Sequence, residues 1–174
     1  SSSSPAIGAD GTIYVGATNI AYALNPDGTM KWEFAAGDQV SHFPPAIGAD
    51  GTVYIGSYDH KFYALNGKTG AKKWEYGMNS PNRASIGEDG TIYVVTSTSR
   101  MYALNPNGTK KWEFLHGSSG GSDSAPAIGA DGTIYVRHHN PNGKLYALNP
   151  DGTKKWEFDV DGSVSSPAIG ADGT

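Results

Sequence analysis

Hydrophobic residues in this chain come in short bursts separated by glycine, proline, aspartate and asparagine. The first are Pro-Ala-Ile-Gly at residues 5–8, Thr-Ile-Tyr-Val-Gly at 12–16, Ala-Tyr-Ala-Leu-Asn at about 21–25 and Met-Lys-Trp-Glu-Phe at about 30–34. Short runs of β-branched and aromatic residues bounded by turn formers predict strands. Ala9-Asp10-Gly11 is a hairpin signal, because Asp-Gly favours a tight turn. In Asn25-Pro26-Asp27-Gly28, proline presets φ at the first central position and glycine takes the left-handed one. Ile13, Tyr14 and Val15 are consecutive, and Tyr22 and Leu24 follow on the next strand. A sheet with one wet face would alternate, so these strands are predicted to be covered on both faces.

The pattern then repeats. Pro-Ala-Ile-Gly-Ala-Asp-Gly-Thr occupies residues 5–12, 45–52, 126–133 and 167–174, and a variant fills 84–91. Its isoleucine recurs at Ile7, Ile47, Ile86, Ile128 and Ile169, in steps of 40, 39, 42 and 41 residues. A second block, Tyr-Ala-Leu-Asn followed by Lys-Trp-Glu, carries Trp32, Trp74, Trp112 and Trp156. A four-stranded meander repeated at this period is the signature of a β-propeller blade. The predicted fold is therefore all-β: a propeller of four-stranded antiparallel blades at approximately 5–43, 44–83, 84–124 and 125–166. Residues 167–174 are one extra strand A that opens a fifth repeat. A closed four-bladed ring has no use for that strand. The chain thus reads as a window from a longer array, or as a unit whose spare strand pairs with another chain in a two-chain ring or a filament.

Composition narrows this picture. Gly 24 and Pro 10 among 174 residues fit many tight turns. Disorder is excluded by an apolar fraction of 37% with 11% aromatics. Helices are excluded because glycine and proline in a helix interior cost about 1 and 3 kcal/mol each. The absence of cysteine removes disulfides, thiol catalysis and cysteine-based metal sites. A net charge of −4 gives no basic footprint for nucleic acid. No apolar run approaches the roughly 20 residues of a membrane span.

One repeat carries a family resemblance. Ala64-Leu65-Asn66-Gly67-Lys68-Thr69-Gly70-Ala71-Lys72-Lys73-Trp74 resembles the tryptophan-docking motif of the PQQ-type (quinoprotein-like) propellers, Ala-x-Asp-x-x-Thr-Gly-Lys-x-x-Trp. Ala64, Thr69, Gly70 and Trp74 fit its spacing, Asn66 stands for the aspartate and Ala71 for the lysine. The other blades are one residue shorter in this turn. The resemblance implies a structural role for Trp32, Trp74, Trp112 and Trp156, each stacking on the backbone of a neighbouring blade. A buried tryptophan removes on the order of 200 Å² from water, several kcal/mol at about 25 cal/mol/Å². The family includes both enzymes and envelope scaffolds, which implies an extracellular, cell-surface or envelope location.

Enzymes of that family bind a quinone and calcium at the propeller centre. Their adjacent cysteine pair has no counterpart here. The Asp-Gly turns at Asp10, Asp27, Asp50, Asp89, Asp131, Asp151 and Asp172 lack the alternating acidic ligands of a calcium loop. The Gly/Ser run at 117–122 lacks the lysine and following helix of a phosphate cradle. Asn107-Gly108-Thr109 fits a glycosylation acceptor and equally the hairpin turn of every blade. No catalytic, cofactor or metal residue is expected, and no enzyme.

The turns after strands A and C are nearly invariant between repeats, whereas the B–C and D–A loops vary. All five histidines (His42, His60, His116, His138, His139) and all three arginines (Arg83, Arg100, Arg137) fall in the variable parts. Both variable loops of a meander emerge on one face, which makes Asp59, His60, Arg83, Arg100, His138 and His139 the candidate binding face. The expected function is a non-enzymatic structural or scaffold repeat, a segment of a longer or self-assembling extracellular array, with a filament as one form. Self-association would use the spare strand or the blade edges. The alternative is a propeller that binds a protein, ligand or glycan through the variable loops. A fragment of a quinone-dependent dehydrogenase is the third reading.

Overall fold

The computed structural model describes residues 4–40, 44–117, 124–138, 143–160 and 167–169. The first blade is β1 (Ala6–Ile7), β2 (Ile13–Ala17), β3 (Ile20–Leu24) and β4 (Met30–Ala35). The second is β5 (Ala46–Ile47), β6 (Thr52–Ser57), β7 (Lys61–Asn66) and β8 (Lys72–Gly77). The third is β9 (Pro81–Ile86), β10 (Ile92–Thr96), β11 (Arg100–Leu104) and β12 (Lys110–Leu115). The fourth is β13 (Ala127–Ile128), β14 (Ile134–His138), β15 (Lys144–Leu148) and β16 (Lys154–Asp159). Each blade is one four-stranded sheet with its strands in chain order, so the architecture is an all-β propeller built from antiparallel blades. Among the described residues no helix is long and apolar enough to cross a membrane.

Proline sets where strand A starts. β1, β5 and β13 open immediately after Pro5, Pro45 and Pro126, because proline has no N–H to add to a ladder. In the third repeat Ala84 replaces that proline, and β9 runs back to Pro81. The sequence-based boundary between 83 and 84 therefore falls inside a strand. At the other end, residues 167–169 form no strand among the described residues, and 170–174 lie outside them. The fifth strand A is thus not seen where its residues are described. Among the described residues, β1, β5 and β13 each pair with the strand that follows them in their own repeat.

The tryptophan strand carries a β-bulge in every blade. Ala23 pairs with Trp32 while Leu24 pairs with Met30, which leaves Lys31 extra; the same shift recurs at Ala64/Leu65, Ala103/Leu104 and Ala147/Leu148. A bulge re-aims a side chain. Here it sends a lysine to the A–B turn: Lys31 Nζ reaches Asp10 at 3.2 Å and Thr12 Oγ1 at 2.8 Å. Lys73, Lys111 and Lys155 repeat the bridge to Asp50, Asp89 and Asp131.

Two compact units divide the chain, Ser1–Asn82 and Arg83–Thr174. In the first, the core lies between the first two sheets, with Tyr14, Ala21, Ala23 and Trp32 against Val53, Ile55, Tyr63 and Leu65. In the second, Tyr93, Val95, Met101 and Ala103 pack against Ile134, Val136 and Leu148. Strands β6 and β10 are buried at every position, as expected for apolar strands covered on both faces.

Candidate functional site

The recurring constellation is a row of three residues across each sheet. Tyr14 pairs with Ala23, and Ala23 with Trp32. Cross-strand partners share a face, so the tyrosine and tryptophan lean together over an alanine too small to part them. Their ring centroids are 5.8 Å apart in all four blades: Tyr14–Trp32, Tyr54–Trp74, Tyr93–Trp112 and Tyr135–Trp156. The alanines, Ala23, Ala64, Ala103 and Ala147, are fully buried.

Held this way, the tryptophan reaches the next blade. In the first unit, Trp32 Nε1–H donates to the Gly67 carbonyl at 2.8 Å, and the Tyr14 hydroxyl donates to the same oxygen at 3.2 Å. The indole lies on Gly70, where a Cβ would stand 2.8 Å from the ring. In the second unit, Trp112 Nε1–H donates to the Pro150 carbonyl at 2.9 Å and lies on Gly152. Both glycines have positive φ. Phenylalanine two residues on adds an edge-to-face contact: Phe34 on Tyr63 at 5.2 Å and Phe114 on Tyr146 at 5.4 Å. Trp74 is half-buried against Tyr54 and Phe62, whereas Trp156 is 41% exposed.

The variable-loop residues have other duties. Asp59 accepts from the Gly37 N–H at 2.9 Å, the Lys61 N–H at 3.1 Å and the Tyr63 hydroxyl. It therefore ties the B–C turn of the second blade to the loop after β4. Burial, and then this bond to Asp59, raises the Tyr63 phenol above the ordinary tyrosine range. His60 is exposed at φ 64 as the last residue of a three-residue hairpin loop, and its carbonyl accepts the Met78 N–H. Substituting His60→Gly is expected to leave the unfolding free energy within about 1 kcal/mol, because glycine relieves the left-handed strain while loosening the unfolded chain. A larger loss in urea titration would show that the ring holds a partner.

Asp59 and His60 lie in the first unit; Arg83, Arg100 and His138 lie in the second. Arg83 is half-buried on β9. Arg100 opens β11 and pairs with Glu113 at 2.9 Å across the sheet. His138 ends β14 and is buried, not exposed on a loop: its Nδ1 stands 3.3 Å from Nδ1 of His116, which is also buried. Gly117 makes this approach feasible, since a Cβ there would stand 2.3 Å from the His138 ring. His42 and His139 fall outside the described residues.

Two concavities among the described residues sit at the uniform turns. In the first unit a cleft of about 780 Å³ runs between the A–B turns of blades one and two, lined by Asp10, Tyr14, Ile47, Asp50, Lys68 and Lys73. In the second unit the equivalent cleft is about 290 Å³, with Asp89, Tyr93, Ile128, Asp131 and Pro150 on its walls. These aspartates are acceptors in their own turns. The Thr12 N–H and hydroxyl and the Lys31 ammonium hold Asp10 down at about 2, and Thr133 and Lys155 do the same for Asp131. Among the described residues no group of three or more His, Asp and Glu could hold a metal ion.

Residues 16–169 match the family model described as outer membrane protein assembly factor BamB. No curated protein matches the chain. Among solved structures it is similar to BamB from Moraxella catarrhalis, with a TM-score of 0.77 and 18% identity over 95% of this chain and 54% of that one. It is also similar to the quinohemoprotein alcohol dehydrogenase from Comamonas testosteroni, with a TM-score of 0.76 and 17% identity over 90% of this chain and 34% of that one. A third likeness, with a TM-score of 0.73 and 17% identity, is to the quinohemoprotein alcohol dehydrogenase ADHIIG from Pseudomonas putida HK5, over 90% of this chain and 34% of that one. The chain thus spans about half the length of the BamB structure and about a third of each dehydrogenase, and at such identity these likenesses speak for the fold alone. Blades that repeat one tryptophan joint, matched by one family model along nearly their whole length, place this chain in the PQQ-repeat family of the outer membrane protein assembly factor BamB.

Proposed function

We propose that this chain is a non-enzymatic scaffold of the cell envelope that works by protein contact. The carrying observation is that several of the polar candidates are engaged by the chain's own groups, some in the interior and some at the surface. Asp59 accepts three hydrogen bonds, Arg100 is paired with Glu113, and His116 faces His138 in the interior. The surface meanwhile presents large apolar side chains, among them Ile7, Leu115 and Phe158. Exposed aromatic and aliphatic groups suit protein partners. The family's description as an outer membrane protein assembly factor supports the envelope location and the protein-binding role.

The competing reading is the dehydrogenase one, which the two quinohemoprotein likenesses keep in view. Incubation with the quinone and calcium, followed by a dye-linked alcohol oxidation assay and a quinone absorbance titration, separates the two. The scaffold reading expects no saturable quinone binding and no turnover. Stoichiometric binding with turnover overturns it.

A further inference from the structure

Three asparagines precede a glycine, whose backbone nitrogen meets the least hindrance in attacking a side-chain amide: Asn66, Asn107 and Asn142, the last outside the described residues. Asn107 is exposed in the C–D turn of the third blade, Asn105-Pro106-Asn107-Gly108. The sister turns of the first and fourth blades read Asn25-Pro26-Asp27-Gly28 and Asn149-Pro150-Asp151-Gly152. All three share one conformation: φ is 85 at Gly28 and 86 at Gly108 and Gly152, and each glycine N–H donates to the carbonyl of the first asparagine at 2.9 Å. Asn107 is thus an amide standing where the same turn twice holds a carboxylate.

The turn activates that amide. Asn107 Oδ1 accepts from the Thr109 N–H at 3.1 Å and from the Thr109 hydroxyl at 2.7 Å. Two donors on one oxygen stabilise the oxyanion that forms when a nucleophile adds to Cγ. The same donors favour a carboxylate in its place, because a hydrogen bond to an ionised acceptor is the stronger one. Asp27 Oδ1 accepts the equivalent pair at 3.0 and 2.6 Å, and Asp151 Oδ1 at 2.9 and 2.6 Å. These bonds, the threonine hydroxyl first and then its N–H, hold both carboxyls below the ordinary aspartate range. Asn66 supplies the contrast. Its Oδ1 also has two donors, the Lys68 and Thr69 N–H groups at 2.9 and 3.2 Å. The attacking nitrogen there belongs to Gly67, which is buried. The Gly67 carbonyl is held by Trp32 and Tyr14, and a Cβ on Gly67 would stand 2.2 Å from the Gly51 carbonyl oxygen. That backbone has no room to turn and close a ring.

We propose that Asn107 is a modification site, converted to aspartate in the folded protein through a cyclic imide with Gly108. Hydroxide takes the Gly108 N–H proton, which ends the bond to the Asn105 carbonyl. The nitrogen then bonds to Asn107 Cγ. The Cγ–Nδ2 bond breaks, and the amide leaves as ammonia with a proton from water. Water adds to Cγ, the new N–Cγ bond breaks, Gly108 recovers its proton and a carboxylate remains at position 107. Nothing is oxidised or reduced. Opening the imide at the main-chain carbonyl instead would leave isoaspartate, with an extra atom in the backbone of the turn. That product loses the register of the Gly108 and Thr109 bonds, so it recloses and normal aspartate accumulates. The conversion makes all three turns Asn-Pro-Asp-Gly and adds one negative charge to an exposed position.

Peptide mapping by mass spectrometry of the full chain, incubated folded at mildly alkaline pH and in parallel in guanidinium chloride, tests this. In the folded chain Asn107 is expected to convert at least about tenfold faster than Asn66, at a rate that rises with hydroxide. The product should co-elute with the same peptide from an Asn107→Asp variant. In denaturant the two asparagines should convert at similar rates. Thr109→Val removes the hydroxyl donor and keeps the branched side chain; it should slow conversion in the folded chain alone, and Thr109→Ser should restore it. Circular dichroism confirms folding of each variant. An Asn107 that keeps its amide when folded but loses it in denaturant, an Asn66 that converts as fast, isoaspartate as the main product, or a folded Thr109→Val that converts at the wild-type rate overturns the proposal. None of these results bears on the scaffold reading.

Discussion

Trp112→Ala is expected to lower the unfolding free energy by about 2–3 kcal/mol in a urea titration, below the range for a fully buried core aromatic because the indole is only partly buried. Three losses combine. The ring leaves the pocket between Tyr93 and Gly152. The Pro150 carbonyl loses its indole donor. Ala103, opposite Trp112 and fully buried, is left beside a void. Trp156→Ala is the internal control. It removes the same side chain from the same sequence and the same tyrosine contact, but at a residue 41% exposed, and its loss should be less than half as large in the monomer.

The glycine under the ring gives the reciprocal result. Gly152→Asn drives a Cβ to 2.6 Å from the indole, an overpacking that costs about 1–3 kcal/mol. Gly28→Asn, at the same φ but with open space above it, should stay within about 1 kcal/mol of wild type, since asparagine tolerates that conformation. Equal losses at the two glycines would show that backbone conformation, not the docked ring, requires glycine there.

The strands, turns and blade register were legible because each repeat declares them in the same words. Asp-Gly marks the first hairpin, a left-handed glycine closes the second, and the apolar bursts between them are too short for anything but strands. The bulged lysines were legible only in part. A lysine precedes the tryptophan in every repeat, but its aspartate lies about 20 residues upstream, and the bulge that turns Lys31 toward Asp10 breaks the alternation from which a side chain's face is read. Ala84 carries a signal of its own: without the proline of its sister repeats, β9 extends back to Pro81. The candidate site was less legible because a polar residue type does not declare whether its side chain is exposed. Superposing the repeats puts His138 at the position of Ala17, the last residue of strand B, which points it at the neighbouring sheet. Asp59 resembles a ligand-binding carboxylate in sequence, yet its acceptors are used by a backbone amide 22 residues upstream and by Tyr63. A partner as distant as Gly37 leaves no local mark.

The His116–His138 pair should make the fold acid-sensitive in a window of its own. Burial first, and then the nearby His138, lowers the His116 imidazole from 6.5 to about 4; a bond to the Arg100 backbone opposes this weakly. Its Nε2 is buried without a hydrogen-bond partner, so a proton placed on the ring has little to stabilise it. The folded value lies below the unfolded one, so the unfolded chain binds the proton more readily. The neutral ring's contribution is therefore complete above about pH 6.5, is lost as pH falls from about 6.5 to 4, and changes no further below that. The size follows from the same shift, about 3 kcal/mol. Asp10, Asp131, Glu75 and Glu157, held at about 2 by their threonine and lysine donors, act in a lower window. Their contribution is present above the ordinary carboxylate range near 4 and is lost as pH falls toward 2. Unfolding free energy measured from pH 7.5 to 2 should thus decline in two steps. His116→Phe, which keeps the site filled with an uncharged ring, should flatten the upper step and leave the lower one. A wild-type profile flat between pH 6.5 and 4, or an upper step unchanged in His116→Phe, would show that His116 does not set this window.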